Sequence, residues 1–241
     1  MKNKVCIVTL SIGDRPWFKY VKKYLDLYAK KNGYDLIIKK KTKSKVDNFS
    51  SFRHFACAEK FFLGKYLNYY DRLILLDDTC MLSPLLEPLD HLVPKDKIGC
   101  WVEGNRKDKN LDSYLKRNAE IYNLKNILPN NRFFNSGVLV FSKKHIDLFK
   151  LDGDFKKIEI DTKFPDQGYF SVKALKLKYQ LHDLGENYNF VGSKIRHHLH
   201  YQIPFDKIKI FHLTGVFSSQ LRCDIASSLD MYFKKNFINK R

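Results

Sequence analysis

The amino-acid sequence predicts an α/β fold, a single Rossmann-like domain with a mostly parallel central sheet flanked by helices. Three observations carry this. Short continuous apolar runs such as Val5-Cys6-Ile7-Val8-Thr9-Leu10 have the length and character of strands buried on both faces. Amphipathic stretches with helical spacing alternate with these runs. No Gly/Ser-rich linker, composition break or internal repeat divides the 241 residues, and 44% hydrophobic content suffices for one substantial core.

Residues 5–10 are strand one. After the polar turn Ser11-Ile12-Gly13-Asp14, Pro16 suits the first turn of a helix, where its missing N–H would have no partner anyway. Trp17, Val21, Tyr24, Leu25 and Tyr28 recur at helical spacing up to Asn32-Gly33, where glycine offers a stop. Tyr34-Asp35-Leu36-Ile37-Ile38 gives a second strand, completing a βαβ unit with the right-handed crossover of parallel strands. A second helix over residues 52–67 carries Phe55, Glu59, Phe62 and Leu63 and feeds the buried strand Arg72-Leu73-Ile74-Leu75-Leu76. Further strands are expected at Ile98-Gly99-Cys100-Trp101-Val102 and Gly137-Val138-Leu139-Val140-Phe141, with a polar helical insertion over residues 107–124 between them. The expected division is a ligand-binding domain over 1–215 and a basic helical extension over 216–241 packed on it.

Lys and Arg number 44 against 26 Asp and Glu, a net charge of +18 that favours polyanionic partners: nucleic acid, an anionic lipid surface or a phosphorylated ligand. Clusters such as Lys39-Lys40-Lys41-Thr42-Lys43-Ser44-Lys45 read more simply as solvated loops. Cys6, Cys57, Cys80, Cys100 and Cys223 are odd in number and scattered without a C-x-x-C pair, so disulfides and zinc are not expected and a reducing compartment fits. No stretch approaches the roughly 18 consecutive apolar residues of a membrane span, and Met1-Lys2-Asn3-Lys4 leads into a strand, so the expected location is cytoplasmic. Residues 229–241 mix aromatic and basic side chains at helical spacing. They read first as a terminal helix with a solvated basic face, and second as a peripheral membrane contact that would reach lipid-linked acceptors. His197-His198-Leu199-His200 is not read as a metal site, because adjacent histidines in a strand point to opposite faces.

Asp77-Asp78-Thr79 follows directly on a buried strand. In open α/β sheets ligands bind at that carboxyl edge, where loops and helix N-termini converge. Aspartate is common in solvated turns, so position rather than residue type marks the motif. Carboxylates placed there can hold Mg²⁺ or Mn²⁺, which take one or two protein carboxylates and fill the remaining positions with phosphate oxygens and water.

The stretch Tyr70-Asp71-Arg72-Leu73-Ile74-Leu75-Leu76-Asp77-Asp78-Thr79, with Leu85-Leu86-Glu87-Pro88-Leu89 following, resembles the Asp-x-Asp region of family 8 and related GT-A glycosyltransferases. Phe134-Asn135-Ser136-Gly137-Val138-Leu139-Val140 is similar to that family's Phe-Asn-Ser-Gly strand, and Pro165-Asp166-Gln167-Gly168 to its Asp-Gln pair. Ile210-Phe211-His212-Leu213-Thr214-Gly215 is similar to its late His-x-x-Gly block, so the resemblance runs from Val5 to Gly215. It implies a GT-A fold and a metal-dependent glycosyltransferase using Mn²⁺ or Mg²⁺. The implied donor is a nucleoside-diphosphate sugar, UDP-sugar first, and the implied acceptor a glycan, protein or lipid-linked hydroxyl.

The resemblance also implies roles. Asp77 is the first metal aspartate and a nucleotide contact, and His212 the third metal ligand. Thr79 stands where the pattern has its second aspartate, so either Asp78 or the Thr79 hydroxyl completes the metal set. Asp166 and Gln167 are the catalytic pair facing the transferred sugar, with Asn135 and Gly137 near the donor sugar and Gly215 at the donor edge. Lys60 is the basic donor contact. Thr9, closing strand one, and Arg15, in the turn after it, lie at the edge that receives the nucleotide. Arg222 and Lys194 are candidates for the phosphates. A retaining transfer needs no dedicated base, whereas an inverting one needs a carboxylate, with Asp166 first and Glu103 second.

Two other classes remain in view. A sugar nucleotidyltransferase shares a similar sheet, metal and aspartates, but usually carries a glycine-rich basic signature after strand one. Ser11-Ile12-Gly13-Asp14-Arg15-Pro16 has one glycine. A nucleic-acid-binding module is suggested by the +18 charge and 15% aromatic content, yet the basic residues are dispersed and no recognition motif is present, so no specific nucleic acid is expected.

Overall fold

Every residue of β1 (Val5–Leu10) is buried, with Val5 and Ile7 in one core and Cys6, Val8 and Leu10 in another. β3 (Arg72–Asp77) and β6 (Phe134–Ser142) repeat the alternation. Ile74, Leu76, Val138 and Val140 face the first core, and Leu73, Leu75, Leu139 and Phe141 face the second. A strand covered on both faces has no solvent positions to fill with polar residues, which is why each reads as an unbroken apolar run. The computed structural model describes residues 3–42, 52–103, 116–124, 133–153, 165–192, 204–215 and 218–238. The first part of the predicted insertion, Lys194, the histidines at 197–200 and the end of the basic cluster at 39–45 lie outside these residues.

With β2 (Asp35–Lys39), β5 (Lys97–Val102) and β7 (Gln180–Asp183), these strands form a six-stranded sheet of order β2-β1-β3-β6-β5-β7. Among these described strands β6 alone runs against its neighbours, pairing antiparallel with both β3 and β5, while the other pairs are parallel. The β5–β6 register shifts between Gly99 and Trp101, next to Asn135. β2 and β7, at the edges, are only partly covered.

One face carries α1 (Phe18–Asn32). The helix starts two residues later than Pro16 would allow, because Trp17 caps it and is itself buried, its indole N–H donating to the Asp78 carbonyl at 3.2 Å. It ends as its sequence predicts. Gly33 is left-handed (φ 68°), and the Tyr34 and Gly33 N–H groups donate to Ala29 and Lys30 carbonyls at 2.9 and 3.3 Å, a Schellman stop. On the other face, the single helix expected over 52–67 is instead α2 (Phe52–Glu59) followed by a tighter 3₁₀ segment, Lys60–Asn68. Gly64 there lies against Phe149, so closely that a Cβ would sit 2.4 Å from that of Phe149. Glu59 and Lys60 are both drawn inward by buried partners, Glu59 by Lys39. After β4 (Cys80–Leu82) and the short α3 (Leu89–Leu92), the second core is completed by α4 (Pro165–Lys176).

β4 belongs to a second, three-stranded sheet with β9 (Ile210–His212) and β8 (Phe190–Val191), in the order β4-β9-β8. The C-terminal α5 (Ser219–Phe233), capped by the Ser218 hydroxyl, packs on α1 and on this small sheet. Phe233 stacks edge-on to Tyr24 at 5.1 Å and lies 5.9 Å from Phe211. Asp230 gathers Lys23, Lys234 and the Tyr24 hydroxyl, so part of the basic face of this segment is neutralised within the fold. No helix among the described residues is long and apolar enough to cross a membrane.

His145 is the third residue of the 3₁₀ segment Lys143–Phe149 that follows β6. It is fully buried, and its Nδ1 accepts from the Ser142 N–H at 3.0 Å. Burial, reinforced by Lys144 and Arg72, lowers its pKa to about 4 from the ordinary 6.5. Above pH 6.5 both folded and unfolded chains carry a neutral ring. Between about 6.5 and about 4 only the unfolded chain takes up the proton, so stability falls as the pH falls through that window. Urea denaturation is expected to show a loss of about 3 kcal/mol at most from this group, and His145→Gln is expected to remove that part of the slope.

Candidate active site at the strand ends

β1 and β3 are parallel and finish together, with Leu10 opposite Asp77. Because β6 runs the other way, it begins where they end, with Val138 opposite Leu76. The ends of three central strands therefore bring Thr9, Asp77, Asn135, Ser136 and Gly137 to one edge. Asp78 and Thr79 turn the chain into β4, whose Cys80 pairs with His212 of β9, and the Leu213 N–H donates to the Thr79 carbonyl at 2.9 Å. The small sheet thereby returns residue 212 beside residue 77.

Lys60 lies at the centre. Its Nζ is 2.9 Å from Asp77 Oδ1 and 2.7 Å from Asp166 Oδ2, and it donates to the Ser136 carbonyl at 3.1 Å. The Ser136 hydroxyl in turn donates to Asp166 Oδ2 at 2.8 Å. Burial by itself would lower the pKa of this ammonium, but Asp166 and Asp77 more than reverse that and hold it above the ordinary lysine range. Asp77 answers in kind. Burial would raise its carboxyl, and the Lys60 ammonium instead holds it well below the usual carboxylate range. One cation is thus kept between two carboxylates inside the fold.

The second oxygen of Asp77, Oδ2, faces His212 Nε2 at 3.5 Å. That ring nitrogen is buried and has no hydrogen-bond partner, while Nδ1 lies 2.7 Å from Asn189 Oδ1. Gly137 lies directly under the ring, where an added Cβ would meet His212 Cε1 at 2.1 Å, so only glycine permits the approach. An orphaned ring nitrogen beside a carboxylate oxygen fits a divalent cation, which would be held by Asp77 and His212. Among the described residues no third His, Cys, Asp or Glu joins them.

Asp78 points elsewhere. Its Oδ2 pairs with Arg15 Nε at 3.0 Å, and burial, with Asp77 close by, pushes its carboxyl up to about 7 against the pull of Arg15 and Arg222. Both guanidiniums lie against the Trp17 ring, Arg15 at 5.4 Å and Arg222 at 4.9 Å from the centroid, and Arg222 Nε donates to the Leu213 carbonyl at 3.2 Å. Trp17 therefore holds two cations beside the strand ends.

The remaining residues singled out from the sequence fall around these two clusters. Thr9 is fully buried and its hydroxyl has no hydrogen-bond partner. Asp166 and Gln167 are buried in the first turn of α4, where Gly168 lets the Asn118 amide approach within 2.7 Å of a Cβ position. Asn135 donates to Glu103 Oε1 at 3.1 Å and accepts from the Gly137 N–H at 2.9 Å. Gly215 forms the turn after β9 with φ 73°, and Thr79 is buried, its carbonyl bonded to the Leu213 N–H. Asp77, His212, Lys60, Asp166, Asn135 and Gly137 meet at one cluster, and Asp78, Arg15 and Arg222 at its neighbour. Two further partners were given no role by the sequence. Ser136 was visible inside the Phe-Asn-Ser-Gly block, whereas Asn189, in Glu186-Asn187-Tyr188-Asn189, follows no pattern.

Replacing Lys60 leaves the buried Asp166 and the half-buried Asp77 without their shared cation. Lys60→Met is expected to destabilise the fold by about 3–5 kcal/mol, the usual consequence of breaking a buried ion pair from one side. A urea midpoint equal to wild type would show that Lys60 and its two carboxylates do not hold the edge together.

No protein-family model matches the chain, and no curated protein matches it in sequence. Solved structures do match it in shape. A glycosyltransferase involved in the glycosylation of the major capsid of PBCV-1 matches with a TM-score of 0.59 at 10% identity, over 92% of this chain and 99% of that one. The galactosyltransferase LgtC, in complex with donor and acceptor sugar analogs, matches at 0.57 and 12% identity, over 92% and 95%. Mouse xyloside xylosyltransferase 1 matches at 0.50 and 13% identity, over 89% and 99%. What is shared at such identities is the architecture, and the chain has the GT-A fold of these glycosyltransferases.

Proposed function

We propose that the chain is a metal-dependent glycosyltransferase, moving a sugar from a nucleoside-diphosphate donor, UDP-sugar first, to a hydroxyl of a glycan, protein or lipid-linked acceptor. The observation that carries this reading is the buried, unpartnered Nε2 of His212 facing Asp77 Oδ2 at 3.5 Å, at the ligand edge of a GT-A sheet. Asp77 and His212 would hold Mn²⁺ or Mg²⁺, with Thr79 or Asp78 the further candidates. The cation supplies charge neutralisation for the departing diphosphate.

The chain's own residues do the rest. Lys60 occupies Asp77 Oδ1 and so leaves Oδ2 free to face inward. Arg15 and Arg222, braced on Trp17, offer positive charge to phosphate oxygens, which suits a donor carrying two phosphates. The Gly215 turn would lie on the nucleotide side, with Thr9 buried behind it, and Asn135, Gly137 and Gln167 on the sugar side. Asp166 is tied through Oδ2 to Lys60 and Ser136, which suits orienting the sugar and favours the retaining course, where no dedicated base is needed. Glu103 is the carboxylate for an inverting course. LgtC, solved with donor and acceptor sugar analogs, supports a site that takes both at once.

Two measurements test the reading. Calorimetry with a panel of nucleotide sugars is expected to show binding that requires Mn²⁺ or Mg²⁺, and no binding across the panel would overturn it. Asp77→Asn is expected to lower donor hydrolysis and transfer by about 10²–10³-fold or more, the scale of losing a charge-stabilising group, with the far-UV spectrum unchanged. Wild-type turnover in that variant would remove Asp77 from the site.

A further inference from the structure

We infer that Asn189 is a positioning residue that fixes the tautomer and aim of His212, keeping Nε2 bare toward Asp77. The inference deepens the proposed function and rests on its metal site for its purpose, although the hydrogen bonds that carry it involve no metal.

An imidazole binds a cation only through a nitrogen without a proton, and either ring nitrogen can be that one. A chain of hydrogen bonds decides the matter here, because it starts from a group that can only donate. The Gly137 backbone N–H can only donate, so the Asn135 side-chain atom 2.9 Å from it is the oxygen. Asn189 meets that same oxygen at 3.0 Å, and must therefore present its NH₂ there. The other atom of the Asn189 amide is then the oxygen, 2.7 Å from His212 Nδ1, and Nδ1 carries the proton. The Asn135 Nδ2 so placed donates to Glu103 Oε1 at 3.1 Å, which agrees with the orientation that the Gly137 N–H imposes. With its one proton on Nδ1, a neutral ring leaves the lone pair on Nε2, the buried atom with no hydrogen-bond partner.

Asn189 is itself held rigidly. It is fully buried, its N–H donates to the Glu186 carbonyl at 3.0 Å, and the strand that follows pairs Val191 with His212. The relay Glu103-Asn135-Asn189-His212 therefore runs from the end of β5 through β6 and β8 to β9. Gly137 serves it twice, by donating the hydrogen bond that orients Asn135 and by giving the imidazole room. Groups that orient a metal-binding histidine from behind commonly change metal affinity by about 10–100-fold when removed.

The full-length protein allows two independent tests. In metal-free wild type, ¹⁵N NMR of the imidazole rings, with His212 assigned from His212→Gln, is expected to find Nδ1 protonated and Nε2 bare. A proton on Nε2 instead overturns the inference, whatever the metal does. Second, Mn²⁺ is titrated by electron paramagnetic resonance without any nucleotide. Asn189→Leu, similar in size but unable to accept from Nδ1, is expected to weaken Mn²⁺ binding by about 10–100-fold, while Asn189→Asp, which keeps the acceptor for Nδ1 and gives up only the donor to Asn135, is expected to weaken it less than Asn189→Leu does. Unchanged Mn²⁺ affinity in Asn189→Leu overturns the inference. A wild type that binds no Mn²⁺ but shows the Nδ1 proton sinks the metal reading and leaves the hold of Asn189 on the ring supported.

Discussion

One ammonium group binds the architecture to the chemistry. Lys60 Nζ is held by Asp77 from β3, Asp166 from α4 and the Ser136 carbonyl from β6. Three elements distant in sequence converge on a single buried charge. Asp166 could not be buried there unaided, since an ionised group out of water requires a partner and hydrogen bonds. The same pairing divides the work of Asp77 between its two oxygens, one committed to the fold and one facing His212. The tightening of the helix into a 3₁₀ turn begins at Lys60, where its chain bends inward to reach this position.

The inner strands of the central sheet were legible in the sequence because they are buried on both faces, and burial of that kind demands an unbroken apolar run, whereas the edge strand β7, only partly covered, offers no such run. The carboxyl-edge placement of Asp77 followed from that run alone. The stop of the first helix at Gly33 was equally legible, since a left-handed residue there is what glycine permits. The small sheet was not. Its strands are two or three residues long, too short for any periodicity, and its pairing of Cys80 with His212 joins distant stretches of chain. A histidine in Phe211-His212-Leu213 carries no local sign that it will sit against Gly137. Only the resemblance to a family pattern singled it out.

The partners behind the front residues were the least legible. Asn189 lies in a turn with no motif, and Ser136, although inside the Phe-Asn-Ser-Gly block, carries no sign of the lysine and carboxylate it joins. Their importance arises from hydrogen bonds across elements, and those depend on side-chain directions that sequence spacing does not fix. Charge shows the same limit. The net +18 suggested a polyanion in general, but its use at the strand ends comes down to Arg15 and Arg222 against the Trp17 ring, with Lys234 of the C-terminal segment answered by Asp230.

The close seat of His212 over Gly137 joins the histories of two positions. With 2.1 Å between an added Cβ and the ring, the imidazole and any side chain at 137 exclude each other. In a lineage descending from such a protein, residue 212 is the one that moves first. A chain that keeps the histidine is confined to glycine at 137, and a chain that exchanges it for a smaller residue is released to explore alanine or serine there. The two sites then evolve as a single character with an order to its changes, a signature that comparison of distant relatives can detect even where overall identity has decayed.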